Sequence, residues 1–458
     1  MLKQINNIIK QRRSLFSSGV GIPIQDAFGP NRQDWLKARA PMYGPDQQNL
    51  QYEYSEKAAD DQTIINILTK DKVKDSILDF WGEGRLYQSP PLLTGFKNSF
   101  NLNHQYQLVS NGIQQGYKIP NRIPVKDYDC TDIEKYIDSN TFNTITLMGA
   151  PITSKTSEAI SRIIRKDTGK VILYDPGHYQ KDIIERVLKK INFIEHPLIK
   201  LDPQFIEKDM MKPVITYVNK DALKMDAQFS IIAQEYDRAV LLLEKLFDND
   251  YIQDICEILK PYASQEQIFR LGYRLCKGIR GPEIIRQCKF EKSLEDLLLN
   301  KDSEFEISLD HGVTNKLSVN GDVANDSYRN AFFHSLDYKE SQNSRLRICP
   351  QESGNYFYIR ILHGAENRLS TAGEVESNDY RTPAFYSSSN SEYSNYSKIR
   401  IIPQESGKYF ILKLAHGVDN RLSANGNVEK NDYRKAFFHS KEYSDQFNNY
   451  YRIKITKK

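Results

Sequence analysis

One stretch of this chain occurs three times. HGVTNKLSVNGDVANDSYRNAFFHS begins at His311, HGAENRLSTAGEVESNDYRTPAFYSSS at His363 and HGVDNRLSANGNVEKNDYRKAFFHS at His416, a spacing of about 52 residues. A unit of that size cannot bury its apolar face alone, so the copies must close on one another. Short apolar segments such as YFYIRIL, YFILKLA and SKIRIIP are bounded by Asn-Gly, Ala-Gly and Ser-Gly pairs, which predicts strands separated by tight turns.

Three copies with room for about four short strands apiece resemble a β-trefoil over residues 303–458, whose closure removes most exposed sheet edges. A three-sheet prism is the alternative, and a propeller usually needs at least four blades. The resemblance implies a lectin-like module with one shallow sugar site per repeat. The ricin-type Gln-x-Trp signature is absent, since this region contains no tryptophan. The recurring Asn315, Asn367 and Asn420, the basic residues that follow them (Lys316, Arg368, Arg421), and the pairs Tyr328-Arg329, Tyr380-Arg381 and Tyr433-Arg434 are the candidate ligand contacts. An Asn ahead of a strand is also an ordinary turn residue.

The N-terminal part has a different grammar. DDQTIINILTKDKVKDS predicts a helix leading into the strand SILDF, which runs into the glycine turn WGEG. A strand then follows in YQLVSNGI (106–113), another in FNTITLMGAP (142–151), a helix in TSEAISRIIRK (156–166) and a strand in GKVILYDP (169–176). After them come a helix in QKDIIERVLKKINF, a short strand in IEHPLIKL and a last strand in KPVITYVNK. Alternation of this kind predicts a parallel sheet with right-handed crossovers.

In this order the segments resemble the class I S-adenosylmethionine-dependent methyltransferases over residues 50–220. SILDFWGEG is similar to their first motif, and FNTITLMGAP through GKVILYDP to their fourth strand, helix and fifth strand. The resemblance implies a Rossmann-like sheet with S-adenosylmethionine as cofactor. Its implied contacts are Asp79, Gly82 and Gly84 at the first turn, Ser110 at the end of the second strand, Asp129 and Cys130 beside the adenine, and Gly149 after the fourth strand. Glycines at the turn would let the main chain close on the ligand, and methyl transfer needs alignment more than a protein nucleophile. Three positions depart from the family pattern: Trp81 stands where glycine is preferred, Ser110-Asn111 replaces the ribose-binding acid, and Phe142-Asn143 replaces Phe-Asp.

Residues 226–279, with breaks at DND, KPYAS and KGIRGP, predict two or three helices. The expected division is an arm over 1–49, the Rossmann-like domain over 50–220, a helical bundle over 221–302 and the trefoil over 303–458. At 458 residues the chain has room for about three domains.

Composition narrows the partners. A net charge of +4 argues against a dedicated nucleic-acid binder. The five scattered cysteines predict reduced thiols and no zinc site, and no apolar run approaches the roughly 20 residues of a membrane span. The first 25 residues carry four basic residues and no acid. That pattern suits a basic arm on a cytoplasmic protein, with a mitochondrial presequence as the minor alternative. No HExxH, GxSxG or phosphate-loop pattern is present. The expected function is a methyltransferase addressed by its trefoil to a glycan or protein surface. Because MGAP lacks the second proline and aromatic of base methylation, the expected acceptor is a small molecule or a protein. The alternative is a non-enzymatic lectin-like or toxin-like binding protein with a degenerate Rossmann-like domain.

Overall fold

The structure is a computed structural model. It describes residues 76–81, 98–104, 122–125, 130, 133, 137–148, 152–174, 180–198, 214–300, 302–325, 327–335, 341–351, 354–365, 367–387, 395–440 and 450–458. The chain divides into two compact units, 1–225 and 226–458. It is a mixed α/β protein with several sheets and, among the described residues, eight α-helices. No helix among the described residues is long and apolar enough to cross a membrane.

The first unit is built on a seven-stranded sheet. Its strands are β1 (Ser76–Phe80), β2 (Asn98–His104), β3 (Arg122–Val125), β4 (Thr144–Met148), β5 (Lys170–Tyr174), β6 (Phe193–Glu195) and β7 (Val214–Asn219), in the order β3-β2-β1-β4-β5-β7-β6. The first five run parallel, and β7 is antiparallel to both β5 and β6. Every residue of β1 is buried, as expected of a parallel strand covered on both faces. Helices α1 (Ser154–Ile163) and α2 (Lys181–Lys189) lie between strands in the chain. Ala159, Ile160, Ile184 and Leu188 from them join Leu78, Phe80, Ile145, Leu147 and Tyr217 in one hydrophobic cluster. Thr153 caps α1 by accepting the Thr156 amide at 3.1 Å, satisfying one of the donors a helix start leaves open.

The partner of β1 differs from expectation. It is Asn98–His104, earlier in the chain than the expected strand at 106–113, which lies outside the described residues, as does the helix expected ahead of β1. In NSFNLNH only Phe100 and Leu102 are apolar, so the segment lacks the continuous apolar run of an inner parallel strand.

The second unit begins within α3 (Lys220–Ile232) and continues through α4 (Tyr236–Phe247), α5 (Ile252–Leu259), α6 (Glu266–Leu275), α7 (Gly281–Gln287) and α8 (Lys292–Leu299). These are more helices than the two or three expected. Gln234, Asp250 and Lys289 each adopt left-handed backbone at helix ends, and the break at 233–235 carries no Gly or Pro to announce it.

Beyond the helices, β8 (Phe305–Leu309), β11 (Leu346–Gln351), β12 (Tyr356–Ile361), β16 (Ile399–Gln404), β17 (Tyr409–Leu414) and β20 (Ile453–Lys457) close a barrel in the order β11-β12-β16-β17-β20-β8. It consists of three antiparallel pairs, β11–β12, β16–β17 and β20–β8, linked at Phe305, Phe357 and Phe410, one from each repeat. Alternate residues of β12 and β17 fill it, among them Ile359, Ile361, Leu412 and Leu414. The other strands form a separate sheet: β9 (Asn315–Val319), β10 (Tyr328–Ser335), β13 (Asn367–Ser370), β14 (Tyr380–Arg381), β15 (Ala384–Ser387), β18 (Asn420–Ala424) and β19 (Tyr433–Ser440).

Each repeat locks onto the one before it in a cycle. The amides of Val313, Ala365 and Val418, two residues past the three His-Gly histidines, donate to the carbonyls of Val428, Val323 and Val375 at 3.1, 2.7 and 3.1 Å. The intervening Gly312, Gly364 and Gly417 have φ of +77°, +84° and +76°, and a Cβ there would meet the same carbonyl oxygens at 3.0, 2.8 and 2.7 Å. Glycine is required for both reasons.

The helices pack on the barrel within this unit. Phe269 of α6 meets Phe357 edge to face at 4.9 Å, and Ser293 of α8 donates to the Gly407 carbonyl. A 303–458 fragment would bare Phe357, a loss of about 1.5–3 kcal/mol for one large side chain. Fragment 226–458 is therefore expected to unfold cooperatively in urea, with 303–458 unfolding at lower urea. Gly321 also has positive φ, at +74°, but open space around its Cβ. Gly364→Ala should cost about 1–3 kcal/mol more than Gly321→Ala in urea denaturation, the difference being the lost interlock.

Candidate functional site

The connections of the first sheet diverge between β1 and β4. From β1 the chain builds outward through β2 and β3, and from β4 in the opposite direction through β5. In open α/β sheets ligands bind outside the carboxyl ends of the strands at such a switch point. Asp79, near that end of β1, is in register with Asn101 of β2 and Thr146 of β4. Its carboxylate is buried, and Thr146 Oγ1 donates to Oδ1 at 3.0 Å. A buried carboxylate is tolerated because such donors replace its water. At the other end of β1, Ser76 Oγ donates to Asn143 Oδ1 and accepts the Asn143 amide, both at 3.0 Å. Asn143, one of the departures from the family pattern, thus ties the base of β4 to β1.

Two non-glycine residues with left-handed backbone follow parallel strands of this sheet: Trp81 (φ 58°) directly after β1 and Cys130 (φ 53°) after β3. Both side chains join the hydrophobic cluster, Trp81 edge-on to Phe80 at 5.5 Å. Bulky residues rarely adopt this conformation, and such outliers concentrate where a fold positions a ligand. Gly82, Gly84, Ser110, Asp129 and Gly149 lie outside the described residues. Thr146 was not singled out in the sequence. Its signal was a hydroxyl in the middle of the otherwise apolar core of TITLM. Among the described residues no cluster of three or more His, Cys, Asp or Glu groups could hold a metal, and all five cysteines are free thiols.

In the second unit Asn315, Asn367 and Asn420 are fully buried. Their Oδ1 atoms accept the amides of Leu309, Ile361 and Leu414 at 2.9, 3.1 and 2.9 Å. Their Nδ2 groups donate to the carbonyls of Val313, Ala365 and Val418 at 3.0, 2.6 and 2.9 Å. Each amide thus braces the loop that carries the interlock. The following basic residues have unlike partners: Lys316 pairs with Glu306 at 2.6 Å, Arg368 lies 4.1 Å over Tyr358 and Arg421 4.4 Å over Tyr451.

Tyr328, Tyr380 and Tyr433 stand 55%, 53% and 50% exposed. They face Tyr386, His439 and His334 across strand pairs, with ring centroids 5.2, 5.5 and 5.5 Å apart. Each tyrosine thus reaches a ring of another repeat and stays about half exposed. Arg381 and Arg434 pair with Asp379 and Asp432 beside these tyrosines. The Tyr380 amide, and after it Arg381, hold Asp379 below the ordinary carboxylate range, and Tyr433 and Arg434 do the same for Asp432.

Burial pushes His439 down to about 4. Its Nε2 meets Asn425 Oδ1 at 3.0 Å, a contact the neutral ring makes as donor. The unfolded histidine titrates at the ordinary 6.5, so between those values the unfolded chain binds more protons and stability falls with falling pH. Urea denaturation of the 226–458 fragment should show stability intact above pH 6.5 and declining toward about pH 4. His439→Gln should flatten that decline.

No family model and no curated protein matches this chain. Solved structures similar to parts of it include toxins and S-adenosylmethionine-dependent methyltransferases. A mosquitocidal holotoxin is 13% identical with a TM-score of 0.28, covering 35% of this chain and 18% of its own. The Haemophilus ducreyi cytolethal distending toxin is 11% identical with a TM-score of 0.26, covering 34% and 84%. An S-adenosylmethionine-dependent methyltransferase from Clostridium acetobutylicum is 18% identical with a TM-score of 0.27, covering 41% and 97%.

Proposed function

We propose that the first unit is a class I S-adenosylmethionine-dependent methyltransferase domain and that the three repeats form a β-trefoil addressing it to a glycan or protein surface. The buried Asp79 carboxylate at the β1/β4 switch point carries this reading, supported by the antiparallel β7 inserted between β5 and β6. The cofactor would supply an electrophilic methyl group. Asp79 would orient the Gly82–Gly84 loop and accept from the cofactor's amino group, while Asp129 and Cys130 would flank the adenine. The proposed acceptor is a small molecule or a protein, and the proposed organisation remains arm, Rossmann-like domain, helices and trefoil, on a cytoplasmic protein. In the trefoil, the half-exposed tyrosines offer flat apolar faces of the kind that stack on sugar rings, whereas the repeat asparagines are spent on their own loops.

Trp81 favours a second reading, since a bulky side chain occupies the turn position where the family prefers glycine. In that reading the unit has lost its cofactor and the protein is a non-enzymatic lectin-like or toxin-like binder. Calorimetric titration with S-adenosylmethionine separates the two, because a ligand held by the native state alone raises its stability. Saturable binding is expected. Asp79→Asn keeps an acceptor for Thr146 and should weaken binding about tenfold, or about 1.4 kcal/mol, with little change in Tm. Absence of heat at millimolar ligand would leave the binding-protein reading standing.

A further inference from the structure

The second unit contains a cleft of about 430 Å³ between its helices and the barrel, independent of the proposed cofactor site. Its walls include Tyr236, Arg270, Arg274, Asn355, Tyr356 and Arg400. Arg270 and Arg274 stand one turn apart on α6, so their side chains share a face. They are only 16% and 14% exposed, while Arg400 reaches in from β16.

The charges in this cleft are unequal. Glu266 accepts from Arg270 Nη2 at 2.7 Å and lies 3.7 Å from Arg400 Nε, so one carboxylate serves two guanidinium groups. Arg274 has Asp237 at 3.3 Å, but that carboxylate is 92% exposed and screened by water. The Nε atoms of Arg270 and Arg400 are buried without a hydrogen-bond partner among the described residues. The Arg274 guanidinium also lies 5.0 Å over the Tyr236 ring, a cation–π contact. Three cations drawn together and partly desolvated, with Glu266 as their one partly buried carboxylate and Asp237 almost fully in water, carry an electrostatic cost, which an anion between them would offset.

Guanidinium forks match the oxygens of a phosphate group in pairs. The cavity volume falls in the range of small-molecule sites, about 300–1,000 Å³, and exceeds what a bare oxyanion fills. Asn355 and Tyr356 also line the cleft, and these residue types carry uncharged hydrogen-bonding groups. We propose that this cleft binds a phosphate group, carried as the monoester of a small polar molecule.

The test uses the full-length protein, titrated calorimetrically with glycerol phosphate, inorganic phosphate and, as the neutral control, glycerol at matched ionic strength. Saturable binding of glycerol phosphate with no response to glycerol is the expected result. Tighter binding of the ester than of inorganic phosphate supports a phosphorylated small molecule, and equal binding supports free phosphate as the source of the same chemistry. Arg400→Gln should weaken binding about tenfold. Arg274→Lys, which keeps the charge and loses the fork, should weaken it several-fold, so the test survives if one variant fails to fold. No saturable response to either phosphate probe, or unchanged affinity in folded variants, would overturn the proposal.

Discussion

The repeat region depends on three hydrogen bonds that run around a ring. Val313 reaches Val428, Ala365 reaches Val323 and Val418 reaches Val375, so every repeat is both donor and acceptor. A glycine with positive φ sits at each contact because only a backbone without Cβ can approach the neighbouring carbonyl so closely. Each turn is in turn held by a buried asparagine that bridges its own loop. The local turn and the contact between repeats are thus one device used three times. The barrel closes around the same cycle, with the first strand β8 pairing with the last strand β20.

Around that frame the repeats have diverged. The tyrosine of each copy still faces a ring from another copy, yet Tyr386 takes the place held by His334 and His439. Lys316 finds a carboxylate where Arg368 and Arg421 find aromatic faces. The glycine and asparagine that carry the frame are the same in all three copies, while positions that only need a partner differ in the partner they find. The helices pack on the second copy, setting Phe269 against Phe357, whose counterparts in the other copies are Phe305 and Phe410.

The first unit holds a buried carboxylate where its strand connections part. Thr146 and Asp79 pair there inside the sheet, and Ser76 and Asn143 pair at the opposite end of the same two strands. Two neighbouring strands are therefore held in register from both ends, because a shift would leave buried hydroxyl, amide and carboxylate groups without partners. The left-handed residues Trp81 and Cys130 follow β1 and β3 in the chain and pack into the hydrophobic cluster of that sheet.

Much of this was readable in the chain itself. The strands at 144–148, 170–174 and 214–219 and the helices at 154–163 and 181–189 follow from apolar periodicity, which is a property of neighbours in sequence. The triplication is visible as repeated letters, and the His-Gly and Asn-Gly pairs announce turns. What the sequence withheld are facts about distance. Asn98–His104 beside β1, with polar residues at alternate positions, is recognisable as an inner strand only through its partner. The role of the repeat asparagines was open between ligand contact and turn brace, because the same amide serves either until its surroundings are known. Arg270 and Arg274 are four apart in the chain, yet Arg400 joins them only because the barrel packs on α6. Local propensity and repetition are written along the chain, whereas register, burial and the meeting of distant charges exist only once the chain has folded.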